Sequence, residues 1–243
     1  MEANDHGSAK TLRGFVYPLT IFLGEAANPW SYEQKLDQLS KQRAAETWLC
    51  QQAARYQVSL SFHQGGNYGL NTHLVIDNIP NAHGSRNEYN SWVFDLLKKI
   101  GWDNPIRLYN QIISETGCNN MHVIIFANDW GRSYSMPFSG KGDQAQYFLE
   151  GLFCYRNYED GQELLTASIA HEILHLYGAW DLYENVYVTC AQSQLASRYF
   201  PNDIMHRLDH KINNLIIDEL TAWRIGWKTN AEDWYESFRP SYE

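Results

Sequence analysis

Residues 171–175 read His-Glu-Ile-Leu-His. On a helix, side chains at i and i+4 stand about 40° apart around the axis and one turn apart along it, so both imidazoles can meet one metal ion. Glu172 lies about 100° round from His171, near enough to reach a water on that ion without displacing a ligand. Zinc hydrolysis needs that arrangement. The ion lowers the pKa of its water towards about 7, and a carboxylate takes the proton as hydroxide attacks a carbonyl. The neighbours matter as much: Leu164, Leu165, Ile169, Ala170, Ile173, Leu174 and Leu176 make the segment apolar nearly all round, which buries a helix. Two histidines and a glutamate inside a core are costly unless paired or metal-bound.

The string continues Leu176-Tyr177-Gly178-Ala179-Trp180-Asp181, giving HExxHxxGxxD. Gly178 can take the left-handed conformation that ends a helix and reverses the chain. Asp181 is thereby carried back towards the same ion as third ligand, with Glu184, His206 and His210 as the alternatives for that place. Two histidines and one carboxylate leave the fourth position open for water, the mark of a catalytic zinc site. One Zn2+ per chain is expected.

This string resembles the extended zinc motif of the metzincin metallopeptidases, in the variant with aspartate as third ligand that snapalysin-type enzymes use. Further on, in Pro201-Asn202-Asp203-Ile204-Met205-His206, Met205 resembles the methionine of the metzincin Met-turn, an apolar floor under the metal. Ala222-Trp223-Arg224-Ile225-Gly226-Trp227 is similar to the end of the helix that follows that turn. The resemblance covers about Met121 to Trp227, and the N-terminal half only in the order of its elements. It implies a zinc-dependent endopeptidase, with His171, His175 and Asp181 on the metal, Glu172 as general base, and a peptide or protein as substrate. The chain departs from the family at Arg207, where many members have a tyrosine; Tyr183, Tyr187 and Tyr199 are the candidates for stabilising the oxyanion in its place. Tyr134, Met136, Trp180, Tyr183 and Tyr187 are candidate substrate-binding residues.

The elements that must position these groups follow from periodicity and punctuation. Phe15–Leu23 reads as a strand with Pro18 near its start. Ser31 and Gln34 form a capping box that opens a helix over 32–57. Val58, Leu60 and Phe62 alternate, and His73–Ile76 is a further strand. Tyr89, Trp92, Val93, Leu96, Leu97 and Ile100 make one helical face; Asn104 and Pro105 open a second helix that runs to Gly117. Met121–Ala127 is a buried strand, 132–138 an edge strand because of Pro137, and 148–155 another strand. Asp160 with Glu163 caps a helix over 161–177, and Asp209 caps a last helix carrying Ile212, Ile216, Leu220 and Trp223. The order predicts an α+β (α/β-like) fold: a zincin-like, twisted mixed sheet with an edge strand lining the cleft, backed by long helices. An extended substrate would pair antiparallel with that edge.

Residues 1–12 are expected to be a flexible N-terminus and 13–243 a single domain, its N-terminal subdomain running to about 178 and its C-terminal subdomain over about 179–243. The chain of 243 residues has 44 % hydrophobic residues, with 9 Trp, 16 Tyr and 10 Phe, which excludes wholesale disorder. A formal charge of −9 argues against nucleic-acid binding, which needs clustered Lys and Arg. No apolar run is long enough to span a bilayer, so no membrane partner is expected. The four cysteines form no CxxC pair, which suggests free thiols. A polar, acidic N-terminus without a basic, then apolar, leader points to the cytoplasm or to a secreted effector with a narrow substrate. A regulatory or inhibitor protein is the other partner considered. Rival readings are a binding or regulatory module on the same scaffold and a zinc hydrolase of a non-peptide amide; an intact Glu172 argues against the first.

Overall fold

The structure, a computed structural model, describes residues 7–71, 74, 95–137 and 148–242. Its centre is a mostly parallel sheet of six strands: β1 (Gly14–Leu23), β2 (Leu60–Phe62), β3 (Asn67–Tyr68), β4 (Asn120–Trp130), β5 (Tyr134–Met136) and β6 (Gly151–Asn157). The order is β2-β1-β4-β6-β5, with β3 also on β1. β5 alone runs antiparallel, at the edge beside β6. The predicted mixed sheet and its edge strand are therefore present. The predicted strand 73–76 and the start of the helix over 89–100 lie outside the described residues; residues 95–99 are helical, and Gly101 follows at φ 94°.

Strand periodicity divides the core in two. On β1, β4 and β6, Val16, Phe22, Ile124, Phe126, Leu152 and Cys154 face one side, and Leu19, Ile21, Val123, Ile125, Phe153 and Tyr155 face the other. Alternate side chains of a strand point to opposite faces, so strands covered on both faces read as continuous apolar runs. The first face carries α1 (Tyr32–Arg55) and α3 (Thr166–Leu176); the second carries 95–99 and α2 (Pro105–Thr116). The capping box of Ser31 and Gln34 opens α1 as the sequence predicts. Asn104 caps α2, which ends on left-handed Gly117. The first core continues past Gly178 through Trp180, Ile204, Leu220 and Trp223.

Pro18 stands inside a central strand, where the missing N–H should break a ladder. The parity of β1 explains its tolerance. The N–H groups of Gly14 and Thr20 point towards the β2–β3 side, donating to Ser59 O and Gly66 O. Pro18 shares that parity and falls between the β2 pairing, over Gly14–Val16, and the β3 pairing, over Thr20–Ile21. Its absent donor faces the break.

Four expectations are corrected. Residues 7–12, assigned to a flexible N-terminus, are anchored: Ala9 N donates to Glu150 Oε2 at 2.6 Å, and Ala9 and Leu12 are fully buried. The predicted helix over 161–177 begins only at Thr166, because Asp160 Oδ1 caps Gln162 N in a turn and Gly161 is left-handed. The predicted last helix is reduced to the six-residue α5 (Glu219–Arg224). Asp209 Oδ1 instead accepts from Lys211 N, and Ile216 is bridged to Asp203. A further helix, α4 (Cys190–Tyr199), was not expected. Its capping box, Thr189 with Gln192, was readable, but Ala196 is its single buried residue and no apolar stripe marks it. Among the described residues no helix is long and apolar enough to cross a membrane.

The face of α1 that meets the sheet is partly polar. Glu46, 3 % exposed, accepts from Gln42 Nε2 at 2.8 Å, and Gln42 Oε1 accepts from Thr20 Oγ1 at 2.9 Å. Burial pushes the Glu46 carboxyl up to about 7, against the opposing pull of Gln42, Gln64 and Arg43. A raised acid pKa means that the folded state holds the proton longer. The stabilisation is therefore complete below the unfolded value and lost as pH rises through about 7. Glu46→Gln removes that dependence. Relative to the variant, the wild type should lose about 3 kcal/mol between pH 4 and 8, read from denaturant unfolding of the two proteins. Parallel pH profiles would refute it.

Candidate metal centre

Helix α3 is buried along almost its whole length, including His171 and Glu172. Each imidazole is held by its Nδ1: His171 against Ile204 O at 3.0 Å, and His175 against Ala179 O at 2.9 Å. A carbonyl only accepts, so both Nδ1 atoms carry the proton and donate. Both Nε2 atoms are then the ring positions left for a shared cation, and they stand 3.1 Å apart.

The reversal after α3 supplies the third group. Gly178, at φ 96°, closes the helix with Gly178 N donating to His175 O and Ala179 N to Leu174 O, both at 3.1 Å. Only glycine takes that conformation without strain. The same turn aims Ala179 O at His175 and returns Asp181, whose Oδ1 lies 3.0 Å from His175 Nε2 and 3.3 Å from His171 Nε2. Asn185 Nδ2 donates to Asp181 Oδ2 at 3.1 Å, which fixes the carboxylate plane. Asp181 Oδ1 is buried without a hydrogen-bond partner. The two Nε2 atoms and Asp181 Oδ1 thus converge on one point, an arrangement that repels itself unless a cation, proton or metal ion, is shared between them. His171, His175 and Asp181 fit a metal ion, their ligand atoms lying within 4.8 Å of one another.

Charge around the three agrees. Burial disfavours protonated His175, but Asp181 and Glu172 override it and push the imidazole up to about 9. Burial likewise opposes the Asp181 carboxylate, yet the two imidazoles hold it far below the usual range. A site that stabilises positive charge on His175 this strongly is also built to stabilise a cation beside it.

No protein-family model matches the chain, and no curated protein matches it. Among solved structures the chain is similar to metalloproteinase-II from Bacteroides fragilis, with TM-score 0.45, 11 % identity, and coverage of 91 % of this chain and 57 % of that one. It is also similar to a zinc-dependent peptidase from Methanocorpusculum labreanum strain Z, with TM-score 0.33, 10 % identity, and coverage of 85 % and 100 %. The chain thus spans little more than half the length of the Bacteroides protein.

The remaining site candidates divide by position. Glu172 follows His171 on α3 and is 9 % exposed. Tyr183 lies against His171, ring centroids 6.1 Å apart, and accepts a hydrogen bond from Arg132 Nη2 at 2.8 Å. Met205 is fully buried, in a turn whose Ile204 O holds His171. Its carbonyl accepts from Leu182 N at 2.9 Å, tying the turn to the residue after Asp181. Trp180 is not an open wall: it is 2 % exposed, with the Arg224 guanidinium 4.0 Å over its ring and Trp223 edge-on. Tyr134 and Met136 pack into the core on the sheet face opposite α3, so period two leaves only their backbone at the edge. Tyr187 is exposed and stacks edge-on with Tyr242.

Of the alternative ligands, His206 is bonded to Leu182 O and Ser197, Glu184 to Cys190, and His210 is exposed. Sequence reasoning missed Asn185, Arg132 and Asp203. Asp203 Oδ1 and Oδ2 accept from Met205 N and Asp218 N, both at 2.7 Å, and shape the turn that presents Ile204 O. No motif marks these three: Asp203 acts through backbone N–H groups, Arg132 reaches Tyr183 from 51 residues away, and Asn185 meets Asp181 across an irregular turn rather than along a helix.

Proposed function

We propose that the chain is a zinc-dependent metallopeptidase of the metzincin type, acting on internal bonds of a peptide or protein. The observation that carries this is the meeting of His171 Nε2, His175 Nε2 and the partnerless Asp181 Oδ1, with Glu172 on the same helix. When bound there, zinc supplies a water with a pKa near about 7 and a Lewis acid for the scissile carbonyl. Glu172 takes the proton of the attacking water and passes it to the leaving amine. The Tyr183 phenol, steadied by Arg132, donates to the developing oxyanion. Met205 takes the part of the Met-turn methionine as the apolar floor. The outer edge of β5 pairs antiparallel with an extended substrate through backbone N–H and C=O groups.

Purified protein should carry about one zinc per chain by elemental analysis. Removing it with a chelator should lower the thermal midpoint by several degrees, because the folded state alone holds the ion. Cleavage of a broad peptide library, read by mass spectrometry, should disappear with the metal and return on adding zinc. Protein that neither carries nor takes up a transition metal would sink the proposal.

A further inference from the structure

The sheet has a second place built for a ligand. From β1 the chain leaves through α1 on one face to reach β2 and β3 on one side of β1. It returns through α2 on the opposite face to β4, on the other side of β1. The winding therefore reverses between β1 and β4. In open parallel sheets such a reversal parts the loops at the carboxyl ends of the strands and leaves a crevice there. A cavity of about 410 Å3 lies next to that position, lined from the carboxyl ends of β4 and β6 and by Asn28 from the loop after β1. Its size lies within the range of small-molecule sites. None of the three metal-ligand candidates lines it.

The floor is rigid. Asn128 Nδ2 donates to Asn28 O, Asn28 Oδ1 and Pro29 O, and Asn28 Nδ2 donates back to Asn128 O. Above it, a register shift between Ala127 and Trp130 interrupts the β4–β6 ladder. Such irregularities re-aim side chains, and Trp130 is left 64 % exposed beside the cavity. The rest of the lining is polar and of both signs. The Arg156 guanidinium donates to Asn128 Oδ1 at a long 3.5 Å. Asp129 keeps one oxygen beyond its bond to Trp130 N, and Glu159 is exposed.

These features select a ligand class. Two carboxylates against one guanidinium disfavour a phosphate or an organic acid. The loop after β1, Gly24-Glu25-Ala26-Ala27-Asn28-Pro29-Trp30, is not glycine-rich and carries an acid. The N-terminus of α1 is capped by its own Ser31, so no helix end offers free N–H groups to an anion. A bare indole face flanked by carboxylates, amides and a guanidinium suits a neutral ring with one apolar face and a rim of hydroxyls. We propose that the cleft at the carboxyl ends of β4 and β6 binds a saccharide, with Trp130 stacked on the sugar ring and Asp129, Arg156 and Glu159 on its hydroxyls.

The test is saturation-transfer NMR on the full chain. The probes are methyl glycosides of glucose, galactose, mannose and N-acetylglucosamine, with adenosine and trialanine as comparators, at about 10 mM each, the concentration range where weak single-ring ligands register. At least one glycoside should receive saturation from the wild type. Trp130→Ala should weaken its binding about tenfold or more, while Trp130→Phe retains part of it. The thermal midpoint and zinc content of Trp130→Ala should match the wild type, since an exposed side chain supports neither. No transfer to any glycoside, glycoside binding that survives Trp130→Ala, or preferential binding of adenosine or trialanine would each overturn the proposal. The readout requires no hydrolysis, so it stands or falls apart from the peptidase reading.

Discussion

Glu172→Gln is expected to leave zinc content near that of the wild type and to lower peptide hydrolysis by about a hundredfold or more. The amide keeps the size of the side chain and loses its basicity. Glu172 is not among the groups that converge on the metal position, so the substitution should spare the ligands. The loss should fall on kcat, because proton transfer belongs to the chemical step rather than to substrate binding. Single-turnover kinetics on the best library peptide, alongside elemental analysis of both proteins, reads the two quantities together. Undiminished cleavage would move the general base elsewhere.

Asp181→Ala carries the second large effect. It removes the one anionic ligand candidate and should weaken zinc binding by roughly a hundredfold or more, since losing even an outer-sphere partner costs about 10–100-fold. Asn185→Ala, which frees only the far carboxylate oxygen, should fall in that smaller range. His206→Ala should change affinity far less, because its imidazole is spent on Leu182 O and Ser197. Competition with a chromophoric chelator measures all three. Zinc retained by Asp181→Ala but lost by His206→Ala would place the third ligand in the turn around Met205.

Much of this was legible because it is local. Two histidines at i and i+4, and an aspartate brought back by Gly178, depend on one helix and its cap, so their spacing alone predicts that they meet. The capping boxes and the buried strand around Met121–Ala127 are likewise written within a few residues. What could not be read is what crosses the fold. Ile204 O reaches His171 from thirty-three residues away, and a carbonyl carries no residue signature. Trp180 looked available beside the motif, yet Arg224 and Trp223, from α5, close over it. Tyr134 and Met136 sit on the edge strand as expected, but their parity, set by pairing with Phe153 and Gly151, turns both away from α3. Asp160 and Asp209 were good caps in type and spacing; both went into local turns, the usual competitor for an aspartate ahead of a helix.

The pairing of β1 with β4 has a consequence for how the chain is made. Val16 meets Asn120, and the register runs on to Leu23 with Ala127, each pair about a hundred residues apart. Contacts of such long range must wait for the intervening loop to close, so assembly of this sheet is slow. During synthesis at about 5–20 residues per second, β1 leaves the ribosome roughly 5–20 s before its partner exists. For that interval the β4-facing edge of an apolar strand, Phe15 to Leu23, has no partner and is open to wrong pairing. Nascent chains of this protein should therefore depend on a holdase that masks the first strand until β4 emerges.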